Sequence, residues 1–213
     1  MARRTKEEAE ETRVQILDAT ERVFHEKGVS RASLAEIATA AGVSRGAIYW
    51  HFENKTDLFQ AMLERIRLPL EELARASERE DEPDPLGRMH QLLVRLLKRV
   101  ELDPQSRRIH EILRYKVEYT EELGDLHRRM REQSIECDQR IAKALSNAVS
   151  RGQLPAGLDC RLAAVSVHAY MEGIQTNWLL APDGYSLADE AEILVDSLMD
   201  MLRLSPALRR HAP

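Results

Sequence analysis

The chain has 213 residues, enough for one or two domains whose cores need no disulfide or metal support. Composition is 43% hydrophobic and 31% charged, which excludes a disordered chain, and no apolar run approaches the roughly 18 residues that cross a bilayer. A net charge of -5 argues against a broadly basic nucleic-acid binder but leaves room for one small basic face.

MARRTKEEAEETR carries no apolar segment behind its basic residues, so no secretory signal is expected; with two cysteines and no ligand cluster, the expected compartment is the cytoplasm. From about Glu7 to Glu26, Val14, Leu17, Val23 and Phe24 recur at helical spacing, with Ala9, Ile16 and Ala19 widening the stripe. Gly28 stops that helix as a left-handed cap. Ser33 and Glu36 form a capping box for a second helix, Leu34 to Ala41, whose buried face is Leu34, Ile37, Ala38 and Ala41 and which ends at Gly42. Ser44 caps a third, Arg45 to His51, with Ala47, Ile48 and Phe52 inward.

Asn54 and Asp57 open a fourth helix that runs toward Ala76, with Pro69 predicting a kink or break. A charged linker with two prolines follows. Further helices are predicted over Leu86 to Val100, Gln105 to Tyr119, Glu122 to Ser150, Cys160 to Leu180 and Leu187 to Leu202, with Gly152, Pro155, Gly157 and APDGYS as punctuation. No period-2 segment occurs, so the expected class is all-α. The expected division is a small domain over residues 1–55 and a helical bundle over 56–213.

Two short helices joined through AGVS have the pattern of a helix-turn-helix, in which the second helix is free to enter the major groove. Its outer face would carry Arg45, Gly46, Tyr49 and Trp50, although Trp50 suits the core equally well. Arg45 can reach a guanine edge or a phosphate, Gly46 permits close backbone approach, and Tyr49 offers a ring and a hydroxyl. His51, Lys55 and Thr56 lie where phosphates should pass. Asn54, Ser33 and Ser44 are caps whose helix ends can also hold a phosphate, and Arg3, Arg4 and Lys6 form a candidate basic arm or a solvated tail.

The stretch from Thr12 to Leu63, with ILDAT, F..KG and IA..AGVS.GAIYWHF.NK..L, resembles the DNA-binding domain of the TetR family of transcriptional repressors. The resemblance implies that Thr12 and Arg13 lie near phosphates, that Ser33 caps against the DNA backbone, that Arg45, Gly46 and Tyr49 occupy the recognition face, and that Tyr49, His51 and Lys55 meet phosphates. Phe52 and Leu58 fall at packing positions. LARASEREDEPDPLG, AVSRGQLPAGLD and DMLRLSPALR resemble the AcrR/TtgR-like branch of multidrug efflux-pump repressors, in which an all-helical C-terminal domain takes small hydrophobic or aromatic inducers. The magnesium-tetracycline chemistry of the tetracycline repressor does not carry over, and no metal or cofactor is expected.

In the bundle, polar residues embedded in apolar helices are the informative ones: His110, Arg114, Glu118, Cys137, Asp138, His168, Glu172, Gln175 and Asn177. An apolar ligand cavity would be lined by Ile66, Met89, Leu92, Leu93, Leu96, Leu113, Ile141, Val167, Met171 and Ile174. Glu172 and Arg114 either anchor a ligand or pair with each other, and His110 and His168 are pocket residues or satisfied histidines. The last two helices resemble a family dimer interface, with Trp178, Leu194, Leu198 and Met201 as contacts; the three aliphatic positions suit an inner protomer face as well. A homodimer on a near-palindromic double-stranded operator is therefore expected. Inducers of multidrug type are the leading ligand class, and a fatty acyl or other metabolite is the alternative. No residue set has catalytic spacing, so an enzyme is not expected.

Overall fold

The structure, a computed structural model, describes residues 6–118 and 120–209. Its helices are α1 (Lys6–Lys27), α2 (Leu34–Ala41), α3 (Arg45–His51), α4 (Lys55–Glu78), α5 (Pro85–Leu102), α6 (Pro104–Tyr115), α7 (Gly124–Ser150), α8 (Cys160–Leu180) and α9 (Leu187–Leu204). Two single 3-10 turns, Glu121–Leu123 and Pro206–Leu208, accompany them. Among the described residues the β pairing is one isolated bridge, Leu158 to Arg209. The all-α expectation holds.

Arg3, Arg4 and Tyr119 lie outside the described residues. Pro69 does not end α4, which continues unbroken to Glu78. The proline is on an exposed face, where water can take up the carbonyl that loses its helical partner. Val14, expected in the buried stripe of α1, is 40% exposed, because Ile16, Leu17, Ala19, Val23 and Phe24 already fill the inner face.

Packing divides the described chain into two units. The first contains the chain up to Arg67 together with Arg108–Arg128; the second contains Leu68–Arg107 and the chain from Arg129 onward. This division by packing is a different quantity from the functional boundary expected at residue 55. In the first unit Ile16, Leu17 and Phe24 of α1, Ile37 of α2, Ile48 of α3, Leu58, Phe59 and Met62 of α4, and Ile109 and Ile112 of α6 are fully buried, with the Phe24 and Phe59 rings 6.2 Å apart.

The second unit has one apolar core built from α5, α7, α8 and α9, and α5 and α9 pack along each other. Trp178 and Leu198, expected at a dimer seam, are buried inside this core. The Trp178 Nε1 donates to the Tyr185 carbonyl at 3.0 Å, and the Arg107 guanidinium lies 5.2 Å above its ring. Met201 and Leu194 are partly buried against the same core. The i, i+4, i+7 pattern of Leu194, Leu198 and Met201 thus marks the inward stripe of α9. Leu198→Ala should cost about 2–5 kcal/mol in denaturant unfolding. A cost near zero would remove Leu198 from the core.

Candidate nucleic-acid interface and ligand site

Helices of eight and seven residues depend on their ends. At α2 the capping box is complete: the Glu36 backbone N-H donates to Ser33 Oγ at 3.2 Å, and the Ser33 N-H donates to Glu36 Oε2 at 2.9 Å. Lys27 Nζ donates to the same carboxylate at 2.6 Å. Lys27 first, then the Ser33 backbone and hydroxyl, pull the Glu36 carboxyl down to about 2. Gly42, at φ 66, turns the chain in the left-handed region, and its N-H reaches the Ala38 and Thr39 carbonyls. Arg22 from α1 donates to the Ala40 carbonyl at 3.2 Å, closing the other end of α2. Neither Lys27 nor Arg22 carries a local spacing signal, since each acts on a partner from the next helix.

Ser44 Oγ accepts the Ala47 N-H at 3.2 Å and starts α3. Ile48 is fully buried, while Arg45 and Gly46 are exposed, Tyr49 is 49% exposed and Trp50 71%. Trp50 therefore faces outward and not the core. Arg45 stacks on the Tyr49 ring, 5.6 Å from its centroid, and donates to its hydroxyl at 3.2 Å. The Trp50 and His51 rings meet edge to face at 4.5 Å. The six residues from Arg45 to Trp50 thus present a guanidinium, a phenol and an indole above the buried Ile48.

The flanking candidates are placed differently. Arg13 is partly buried, over the Phe52 ring at 5.5 Å. Thr12 is buried and its Oγ1 donates to the Glu8 carbonyl at 2.8 Å, so it faces the inside of α1's packing and not solvent. Lys55 is partly buried, and its Nζ donates to the Ser30 carbonyl at 2.7 Å. Phe52 and Leu58 are buried, as the packing positions require. Asn54 Oδ1 accepts the Asp57 N-H at 2.9 Å and begins α4.

The ligand candidates fall in both units. Ile66, His110, Leu113 and Arg114 belong to the first, where His110 is buried and the other three partly so. In the second, Met89, Leu93, Val167 and Met171 are in the apolar core, with Leu96, Ile141 and Ile174 packed against it. Gln175 is buried there, and Leu92 and Cys137 are partly buried. His168 Nδ1 lies 2.7 Å from Asp138 Oδ1 on α7, and its Nε2 lies 3.5 Å from Glu172 Oε1 on α8. Glu172 foremost, with Asp138, raises the imidazole above its ordinary range against the burial that pulls it down. Glu118, taken from the sequence as a bundle polar group, instead meets the loop after α1, where the Ser30 N-H donates to its Oε2 at 3.1 Å.

Outward on α8 and α9 are other apolar side chains: Leu162, Val165 and Leu180 on α8, and Ile193, 63% exposed, and Leu204 on α9. Among the described residues no group of three or more His, Cys, Asp or Glu could hold a metal ion, and no helix is long and apolar enough to cross a membrane.

Residues 16–62 match the family described as bacterial regulatory proteins, tetR family, and residues 84–204 match the C-terminal region of MAATS-type transcriptional repressors. The chain is 51% identical over 210 residues to the HTH-type transcriptional regulator TtgR of Pseudomonas putida, covering 99% of this chain and 100% of that one. It is 39% identical over 212 residues to AcrR of Shigella flexneri, covering 100% and 99%. Among solved structures it resembles NalD, the secondary repressor of the MexAB-OprM multidrug efflux pump in Pseudomonas aeruginosa, at 36% identity and TM-score 0.80 over 94% of this chain and 100% of that one. It also resembles SmeT in complex with triclosan, at 28% identity and TM-score 0.81 over 95% and 99%.

Two expectations follow. A carboxyl depressed in the folded state contributes stability that is present above its unfolded pKa and lost as pH falls through its folded one. Glu36→Gln should therefore be less stable than the parent at pH 7 and converge with it as the pH approaches 2, measured by denaturant unfolding at each pH. A pH-independent difference would refute the charged contact. His168, by contrast, should titrate above its ordinary value in proton NMR, and Asp138→Asn or Glu172→Gln should each lower the midpoint. An unmoved midpoint in both variants would show that neither carboxylate acts on it.

Proposed function

This chain belongs to the tetR family of bacterial regulatory proteins, and we propose that it is a ligand-responsive repressor of a multidrug efflux operon. It is released from operator DNA by small hydrophobic or aromatic compounds. The observation that carries this reading is α3: a seven-residue helix behind a left-handed glycine turn, anchored by Ile48 and exposing Arg45, Gly46, Tyr49 and Trp50. Such a helix contributes little to stability. Its outer face suits the edges of bases in the major groove.

In this reading residues 1–55 read DNA and residues 56–213 bind ligand and a second copy. Arg45, Tyr49 and Trp50 contact bases or phosphates, and Ser33, Ser44, His51, Lys55 and Arg13 frame the phosphate backbone, whereas Thr12 positions α1 from within. Ligand contact is assigned to Met89, Leu92, Leu93, Leu96, Cys137, Ile141, Val167, His168, Met171, Glu172, Ile174 and Gln175 in the second unit. Ile66, His110, Leu113 and Arg114, expected from the sequence at the pocket, belong to the first unit. Apolar walls with a few placed polar groups suit aromatic compounds of varied outline, and SmeT, a relative at 28% identity, was solved with triclosan. The dimer face is better supplied by Leu162, Val165, Ile193 and Leu204, which are exposed, than by Trp178 and Leu198. The operator is a near-palindrome and the compartment is the cytoplasm.

The test uses a duplex obtained by in vitro selection and fluorescence anisotropy at two salt concentrations, with triclosan, naringenin and rhodamine 6G as trial inducers. Tight binding that weakens steeply with salt and is released by unrelated compounds is the expected result. No selectable duplex would refute the DNA-binding reading, and binding that no such compound releases would refute the multidrug one. Tyr49→Ala should weaken binding by about tenfold or more. Ile193→Glu should yield monomers in sedimentation; an unchanged dimer would move the interface elsewhere.

A further inference from the structure

Leu93, Leu97 and Val100 of α5 turn into the core of the second unit. At about 100° per residue, Arg95, Lys98, Arg99 and Leu102 fall within an arc of about 100° on the opposite side of the same helix. There they face Pro69 and Leu70 of α4 across a groove of about 290 Å³, which Asp103 completes. Every lining residue belongs to the second unit, and none is among those expected from the sequence to contact inducer. The volume lies at the small end of ligand-binding cavities, which begin near about 300 Å³.

The floor of the groove is hydrocarbon. Leu70 is buried beneath it, Pro69 is exposed on one wall, and Leu102, 68% exposed, stands uncovered on the other. A single exposed leucine is ordinary; this one matters because it shares a hollow with Pro69 and Leu70. The same hollow carries three cations and one acid, in a chain whose net charge is -5. The acid is already engaged. Asp103 Oδ1 accepts the Gln105 and Ser106 N-H groups at 3.0 and 3.3 Å, and Oδ2 lies 2.7 Å from Arg99 Nη2. Burial raises this carboxyl, but Arg99 and the two backbone N-H groups outweigh it, so the group is lowered overall and stays charged at neutral pH. Lys98 Nζ meets Glu192 on α9 at 2.8 Å. Arg95 is exposed and has no hydrogen-bond or ion-pair partner among the described residues.

Two larger hollows lack this combination. One of about 430 Å³ between α5 and α9 sets Asp84 and Asp196 against His90 and Arg203, and His90 Nε2 already lies 2.9 Å from Asp196 Oδ1. The other, of about 460 Å³, is lined by Glu78, Glu80 and Asp81 with Arg75, Arg79 and Lys143, so its charges balance and it has no apolar wall. In the groove between α4 and α5, charge of one sign is in excess and adjoins hydrocarbon. Inorganic phosphate would leave Pro69 and Leu102 in water, and a neutral aromatic compound would leave Arg95 unpaired. An anion with an apolar body satisfies both, and a planar guanidinium takes a carboxylate through two parallel N-H bonds.

We propose that the groove between α4 and α5 is a binding site for a small apolar carboxylate, separate from the inducer region, with the carboxylate on Arg95 and the hydrocarbon on Pro69, Leu70 and Leu102. Its volume suits a body of one or two aromatic rings. The site requires neither DNA nor a second copy of the chain, so it stands or fails apart from the repressor reading.

The experiment titrates the full-length protein, free of DNA and labelled at its leucine methyl groups, with 2-naphthoate, following NMR shifts and measuring affinity by calorimetry. The Leu70 and Leu102 methyl resonances should move along one saturation curve, with a dissociation constant on the order of 0.1 mM. Arg95→Gln should weaken binding about tenfold, whereas Arg161→Gln, which removes the same charge from an exposed position on α8, should stay within about twofold of parent. 2-Naphthamide, alike in shape but uncharged, should bind about tenfold more weakly than the acid. Both substitutions are on the surface, and thermal melts confirm that the variants are folded. Shifts at Leu93 and Leu97 with none at Leu70 and Leu102 would place the acid on the core side of α5 and overturn the proposal. Equal affinity of Arg95→Gln and parent, or of the acid and the amide, would overturn it as well.

Discussion

A seven-residue helix closes too few internal hydrogen bonds to persist in water, so α3 exists because Ile48 is buried and both of its ends are tied. The same holds for α2, where Ile37 and Ala38 are buried, Ser33 and Glu36 close one end, and Arg22 and Gly42 close the other. This dependence leaves the outer faces of both helices unconstrained by stability. Residues there can be chosen for what they touch. The exposure of Tyr49 and Trp50 would be a liability in a helix meant only to pack, and the base beneath them is what makes it tolerable.

The ties that secure these short helices come mainly from elsewhere in the first unit. Lys27 and Arg22 reach from α1, Lys55 from α4, and Glu118 from the segment after α6. Each holds a backbone group or a capping carboxylate, so each restrains position. A reading head built this way can be shifted by moving any of its holders, without unfolding its core. The core contacts of Ile16, Phe24 and Phe59 would persist through such a shift, since apolar packing is less directional than a hydrogen bond to a backbone N-H.

What the sequence made legible was what neighbours within a few residues decide. Ser33 with Glu36, Gly42, Ser44 and Asn54 fall where caps were expected, because a cap acts over three or four positions. The helix over Arg45–His51 and the inward place of Ile48 follow from the same range. Trp50 could not be assigned: two faces of a seven-residue helix compete for a large ring, and what decides is the space already filled by Ile48 and Phe52. Trp178 and Leu198 were misplaced for a related reason. An apolar stripe shows that a face is buried but not against what, and here a single protomer supplies the cover. Glu118 looked like a bundle polar group because its partner, Ser30, is 88 residues away. The bond from Lys55 to the Ser30 carbonyl was not legible either, since its partner is 25 residues away.

Charge poses a last constraint on the reading face. The first 55 residues carry as many basic as acidic side chains, so the net charge of -5 belongs to the rest of the chain. Neutrality on average still leaves acids near the short helices, and their placement decides whether DNA is repelled. Glu36 is held by Lys27, and Glu21 is buried against Arg65 and Arg108, so both carry their own counter-ions. The first turn of α3 contains no acid at all. Arg45 thus projects from a helical turn with no acid of its own, its guanidinium resting on the Tyr49 ring, an arrangement that keeps the charge available to a phosphate or a guanine edge. A protein that is acidic as a whole can approach a polyanion when the acids near its contact face are already paired, because salt screens the distant ones within about 10 Å.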